Sequence, residues 1–139
     1  ALMADHLAQI MLLQVLRLWL MSGKPLGWLG ALADPRLTRA IGAMHAEPAR
    51  RWTLAELAGH SGMSRTTFAE RFRDAVGQTP LDYLVAWRMR LAADRLHRTE
   101  DSVASIGFSV GYESEAAFST AFRRVVGRTP MQHRRVSPN

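Results

Sequence analysis

The chain has 139 residues, 47% of them hydrophobic and 22% charged, a size and balance that suit one domain or two small tandem modules and exclude a disordered polymer. It contains no cysteine, which excludes a disulfide framework, a cysteine-ligated zinc site and a cysteine nucleophile, and makes the cytoplasm the expected compartment. Eighteen Lys and Arg against twelve acids give a formal charge of +6; from Ala116 onward there are five Arg and no acid, so the excess favours anionic partners at that end.

Apolar residues recur at spacings of three and four, and no stretch alternates with period two for long, so an all-α fold is expected. The spacing predicts a first helix over 4–21, stopped by Ser22-Gly23-Lys24-Pro25. Its apolar run, Leu7 to Met21, is broken by Gln9, Gln14 and Arg17 and is shorter than the roughly 20 residues a bilayer needs, so no membrane span is expected. It follows Asp5 and His6 rather than a basic region, unlike a signal peptide. Leu7, Ile10, Leu13, Leu16, Trp19 and Leu20 exceed what one packing face needs, which predicts a covering partner. Gly27 and Gly30 then mark a loose connection around Trp28 and Leu29.

Asp34-Pro35 opens a second helix, to about Ala46, with Asp34 as cap and Pro35 in the first turn. Thr53-Leu54-Ala55-Glu56 reads as a capping box for a helix over 54–60. Gly62 makes a turn, and Ser64 caps a fourth helix to Ala75, ended by Gly77. Thr79-Pro80 opens the longest helix, 80–97, with Leu81, Leu84, Val85, Met89, Ala92 and Leu96 on its packing face, widened by Tyr83 and Trp87. Arg88, Arg90 and Arg95 on this helix are expected in ion pairs such as Arg90 with Asp94. Ser102 caps a short helix over 103–109, Gly111 turns the chain, Ser114 caps a helix over 115–126, and Thr129-Pro130 begins a last one.

The chain repeats itself. Leu54, Ala55, Leu57 and Gly62 correspond to Val103, Ala104, Ile106 and Gly111 at an offset of 49; Phe68, Phe72, Val76, Gly77, Thr79 and Pro80 match Phe118, Phe122, Val126, Gly127, Thr129 and Pro130 at 50. Each copy is a helix, a short glycine turn and a helix, the pattern of a helix-turn-helix unit. The Phe pairs, four apart on one helix face, are expected in the core. At about 1.5 Å per residue the central helix spans roughly 27 Å, so it can hold two such units about one DNA turn, roughly 34 Å, apart.

The residues Ile106-x-x-x-x-Gly111-Tyr112, Phe118-x-x-x-Phe122 and Gly127-x-Thr129-Pro130, ending in Arg134, resemble the AraC/XylS family of bacterial transcription regulators, over about Asp34 to Arg135. Gly107 stands where that family usually has Ala, and His133 where an aromatic Tyr is usual. The resemblance implies two helix-turn-helix subdomains joined by a long central helix, with an extra N-terminal helix before them. The expected division is 1–33 as linker helix and loop and 34–139 as the DNA-binding domain, made of a first unit at 34–78, a linking helix at 80–97 and a second unit at 102–136. Helices 65–75 and 115–126 are then the groove readers. A sensor domain usually precedes these elements and does not fit in residues 1–33, so a fragment of a longer regulator is expected, with helix 4–21 the tail of that domain or a homodimer contact. RNA polymerase is the further partner that the resemblance implies, and activation the implied role.

The candidate base-reading residues are Arg65, Thr66, Ala69 and Glu70 in the first unit and Glu115, Ala116, Ser119 and Thr120 in the second. Arg can bond guanine bidentately, Thr and Ala methyls can touch thymine, and Glu can accept from cytosine. Glu70 has the alternative of pairing with Arg71 or Arg73. Phosphate contact is expected from Arg71, Arg73, Arg123, Arg124 and Arg128 and from the helix starts at Ser64, Thr79, Ser114 and Thr129, with free amides at Ser64, Thr79 and Thr129. The five His lack HxxxH or HExxH spacing, and there is no phosphate loop, nucleophile elbow or carboxylate pair; neither a metal, a cofactor nor an enzyme is expected. The competing reading is a helical protein-interaction module whose Arg residues only keep it soluble.

Overall fold

The computed structural model describes residues 2–21 and 33–136, and from Pro35 onward its helices start where the sequence supplies a polar cap. Among the described residues they are α1 (Leu2–Met21), α2 (Pro35–Ala46), α3 (Leu54–Ser61), α4 (Arg65–Val76), α5 (Pro80–Arg98), α6 (Val103–Ser109), α7 (Glu115–Val126) and α8 (Pro130–Arg135). Asp34, Thr53, Ser64, Thr79, Ser102, Ser114 and Thr129 each accept a backbone N–H in the first turn of α2 to α8. Such a cap is worth about 1 kcal/mol. Gly62, Gly77 and Gly127 end α3, α4 and α7 with φ of 65°, 88° and 92°, the left-handed region that a side chain resists.

The helices pack around two cores. Leu37, Ala40, Ile41, Met44, Trp52, Leu57, Ala58, Phe68, Phe72, Val76, Tyr83 and Leu84 form the first. Met89, Ala92, Leu96, Val103, Ile106, Val110, Phe118, Ala121 and Phe122 form the second. The long helix α5 serves both, giving Tyr83 and Leu84 to one and Met89, Ala92 and Leu96 to the other. All four Phe of the repeat are fully buried, as their spacing predicts. Burying a side chain of that size is worth about 1.5–3 kcal/mol, so these pairs dominate both cores.

Several local expectations need correction. Leu81 is exposed rather than part of the packing face: Tyr83 and Leu84 turn to the first core, and Leu81 borders a surface hollow with Leu54, Ala69 and Pro80. Asp94 pairs with Arg98 at 2.8 Å, four residues on, and not with Arg90. Arg95 reaches Asp101 at 2.5 Å, while Arg88 forms no ion pair among the described residues and donates to backbone carbonyls. The Glu56 carboxylate takes Arg50 at 3.0 Å instead of closing the box with Thr53; the reciprocal capping box forms at Thr129 and Gln132.

In α1 every described side chain from Asp5 to Val15 is exposed, Leu7, Ile10, Met11, Leu12, Leu13 and Val15 by between 51% and 67%. Nothing among the described residues covers this apolar surface. The side chains of Trp19 and Leu20 and the predicted turn around Trp28 and Leu29 lie outside the described residues.

Candidate nucleic-acid interface

The two helices expected to read the grooves, α4 and α7, are built alike. In α4, Phe68, Phe72 and Val76 recur every four residues and face the first core, which leaves Arg65, Thr66, Glu70, Arg71 and Arg73 exposed. In α7, Phe118, Ala121 and Phe122 face the second core and leave Glu115, Ala116, Thr120, Arg123 and Arg124 exposed. The repeat therefore brings each predicted set onto the solvent side of its helix. Ala69 and Ser119 differ: both directly follow a buried Phe and are half-buried, at the margin of the exposed face. Two exposed first-turn positions, Thr67 and Ala117, escaped the sequence reading, although each lies three residues past its cap. Their place one residue before the Phe was the available signal.

The exposed cations keep their charge available. Arg65, Arg73 and Arg123 make no ion pair among the described residues, and Glu70 pairs with neither Arg71 nor Arg73. Arg71 acts through its field on Asp34: burial pushes that carboxyl up, but the Arg36 amide and the Arg36 and Arg71 charges outweigh it and leave it below its ordinary range. Burial pushes the Tyr112 hydroxyl up, against the charges of Arg88 and Arg124. Glu70, Arg73 and Ala69 also line a surface hollow of about 430 Å³ with Leu54, Thr79, Pro80 and Leu81.

At the helix starts the hydroxyl oxygens of Ser64, Thr79, Ser114 and Thr129 already accept first-turn amides at 3.0–3.2 Å. What they can still offer an anion is the hydroxyl proton, and Ser64 gives its own to Thr67 Oγ1. The Thr129 amide is not free as expected, since it donates to Gln132 Oε1 at 2.9 Å. No group of residues that could hold a metal ion occurs among the described residues, and no described helix is long and apolar enough to cross a membrane.

Gly107 explains how closely the turn is packed. A Cβ there would lie 2.8 Å from Phe118 Cβ, so the Ala usual at this position in the resembled family would displace the centre of the second core. His133 stacks on His97 with ring centroids 4.3 Å apart and meets Phe122 edge-on at 5.5 Å, so it fills the place of an aromatic ring.

Residues 57–136 match a family model described as a helix-turn-helix domain. The chain is 49% identical over 136 residues to an AraC-like transcription regulator of Streptomyces lividans, a match covering 96% of this chain and 45% of the relative. It is 40% identical over 134 residues to the HTH-type transcriptional regulator AlkR of Acinetobacter baylyi, covering 96% and 44%. The chain thus spans less than half the length of these curated relatives. Among solved structures, an AraC-type DNA-binding domain protein from Chromobacterium violaceum superposes with TM-score 0.72 at 29% identity, over 78% of this chain and 99% of that one. The DNA-binding domain of AdpA, solved with a target DNA, gives 0.67 at 29% identity, over 71% and 89%.

Proposed function

The chain belongs to the AraC-type helix-turn-helix family, and from that premise we propose that it reads duplex DNA in a sequence-specific way, with α4 and α7 in successive major grooves. The observation that carries this reading is the pair of capped helices, each with a buried Phe pair on one side and exposed Arg on the other. Arg65, Thr66 and Glu70, and Glu115, Ala116 and Thr120, are the base readers, with Ala69 and Ser119 at their margins. Arg71, Arg73, Arg123, Arg124 and Arg128 hold phosphates, helped by the helix starts at Ser64, Thr79, Ser114 and Thr129. In this reading the chain is a binding module and not an enzyme, and it works in the bacterial cytoplasm, where its DNA lies. The exposed apolar surface of α1 supports contact with a sensor domain or with a second copy, and RNA polymerase is the further partner of the whole regulator.

Fluorescence anisotropy with duplex DNA tests this. Binding should weaken with salt at a log-log slope of about −0.9 per phosphate contact, so several contacts give a steep line. A slope near zero, or no binding at low salt, favours the protein-interaction module instead.

A further inference from the structure

The two units meet away from their shared helix, and one guanidinium sits where they meet. Arg88, in the middle of α5, donates from Nε to the Pro48 carbonyl at 2.6 Å and from Nη2 to the Arg50 carbonyl at 2.8 Å. Both acceptors lie in the loop between α2 and α3, in the first unit. The same guanidinium stands 5.9 Å from the ring centre of Tyr112, which follows the glycine turn of the second unit and packs on Phe118. Gly111 lets that turn come close: a Cβ there would lie 2.8 Å from the Ala49 carbonyl oxygen, and the residue's φ is +99°. At the rim Arg51 forms an ion pair with Glu113, both side chains exposed.

A single helix between two cores is a strut about which each unit can pivot. A second attachment, at the loop that Arg88 holds, removes that freedom. We propose that Arg88 is a positioning residue that fixes the two helix-turn-helix units in one orientation and so sets the spacing between the two groups of base pairs that the chain reads. The proposal rests on the two-groove reading for its consequence at DNA, but the orientation itself can be tested without DNA. Burial depresses the Arg88 pKa, as suits a guanidinium that faces protein carbonyls rather than solvent. Planar geometry matters here, because two carbonyls must be met at once; a Lys ammonium keeps the charge but not the fork.

The absence of native cysteine allows spin labels at Asp74→Cys on α4 and Arg124→Cys on α7, both exposed and equivalent in the repeat. In the otherwise unchanged chain their distance distribution should be narrow. Arg88→Met and Arg88→Lys should each broaden it, with the helical circular dichroism retained. On DNA, adding one base pair between the two groups rotates one reader by about 34° relative to the other, and should cost the unlabelled wild type about tenfold in affinity. Both Arg88 variants should reduce that penalty to about threefold or less at unchanged salt slope. A distribution as narrow as in the wild type, or an Arg88→Lys chain with the wild-type spacing penalty, would overturn the proposal, the latter because a phosphate contact survives as Lys. If Arg88→Met does not fold, Arg88→Lys decides, by a broadened or an unchanged distribution. A wild type that is narrow in distance yet indifferent to spacing would contradict the two-groove reading and leave Arg88 as the positioning residue.

Discussion

The first unit (α2 to α4 with the start of α5) and the second (the end of α5 through α8) place the same scaffold on different supports. In each, two Phe rings meet at the same 54° tilt, 5.6 Å apart at Phe68 and Phe72 and 5.7 Å apart at Phe118 and Phe122. In each, a further ring approaches the second Phe edge-on: Tyr83 at 5.7 Å and 72°, His133 at 5.5 Å and 70°. A histidine then stacks on that ring, His45 on Tyr83 and His97 on His133. The supports diverge beyond this. Tyr83 Oη and His45 Nε2 share a hydrogen bond at 2.7 Å, whereas His133 Nδ1 is buried without a partner among the described residues. Fifty residues after the buried Leu84 comes Arg134, which bonds the Leu96, Thr99 and Asp101 carbonyls. The first unit is followed by a continuing helix and closes with hydrocarbon; the second closes with a guanidinium that ties α8 to the end of α5. The repeat constrains what touches the Phe pair and leaves the periphery free.

Removing a central ring should break either unit most severely. Phe72→Ala and Phe122→Ala should each cost about 3–5 kcal/mol in urea denaturation, with loss of amide protection concentrated in the substituted unit. Uniform loss across both units would mean that the cores act as one. Next come the divergent closures: Leu84→Ala should cost about 2–5 kcal/mol through a cavity. Arg134→Ala should cost about 1.5–3 kcal/mol through hydrogen bonds from a charged donor, and equal m-values would show that both act on the folded state. Ala58 and Gly107 are repeat counterparts at the offset of 49, and exchanging them sharpens the contrast further. Ala58→Gly should cost about 1 kcal/mol by helix propensity. Gly107→Ala should cost about 1–3 kcal/mol by overpacking against Phe118, in spite of the propensity it gains. A stabilised Gly107→Ala chain would show that Phe118 gives way easily.

The smallest effect is that of pH. His45 is held below its ordinary pKa by burial, and His133 by burial and then by the charges of His97 and Arg128. Below a pH of about 6.5 the unfolded chain therefore binds more protons than the folded one, so stability falls as pH drops through that value and levels off once the folded histidines are also protonated. His133→Tyr gives the second unit the ring that the first already has. Urea midpoints between pH 7.5 and 5.5 should fall less in this variant than in the wild type, and an unchanged pH dependence would place the effect at His45 alone.

The scaffold was legible because its signals are local. Asp, Ser or Thr before each of α2 to α8 and Gly after three of them mark ends through the hydrogen bonds of a single turn. The Phe spacing fixed the buried face of both readers, and thereby the exposed face that carries Arg65, Thr66, Glu115 and Thr120. What escaped depends on contacts distant in the chain. Arg88 meets carbonyls 38 and 40 residues before it, and Gly111 approaches Ala49, contacts that near-neighbour spacing does not reveal, whereas Asp94 takes Arg98 over Arg90, two partners equally near in the chain. The margins of the readers escaped for a related reason, since whether Ala69 and Ser119 are exposed depends on what packs beside the helix.

Selection of binding sites from random duplex DNA, run at physiological salt with the wild-type chain, tests the two-reader account most directly. It predicts two groups of specified base pairs centred about ten base pairs apart on one face of the duplex. Thr66→Ala should relax preference only within one group and Thr120→Ala only within the other, each at a cost of about 1–3 kcal/mol on the selected site. A single specified group, or two groups that both change with either substitution, would contradict the account.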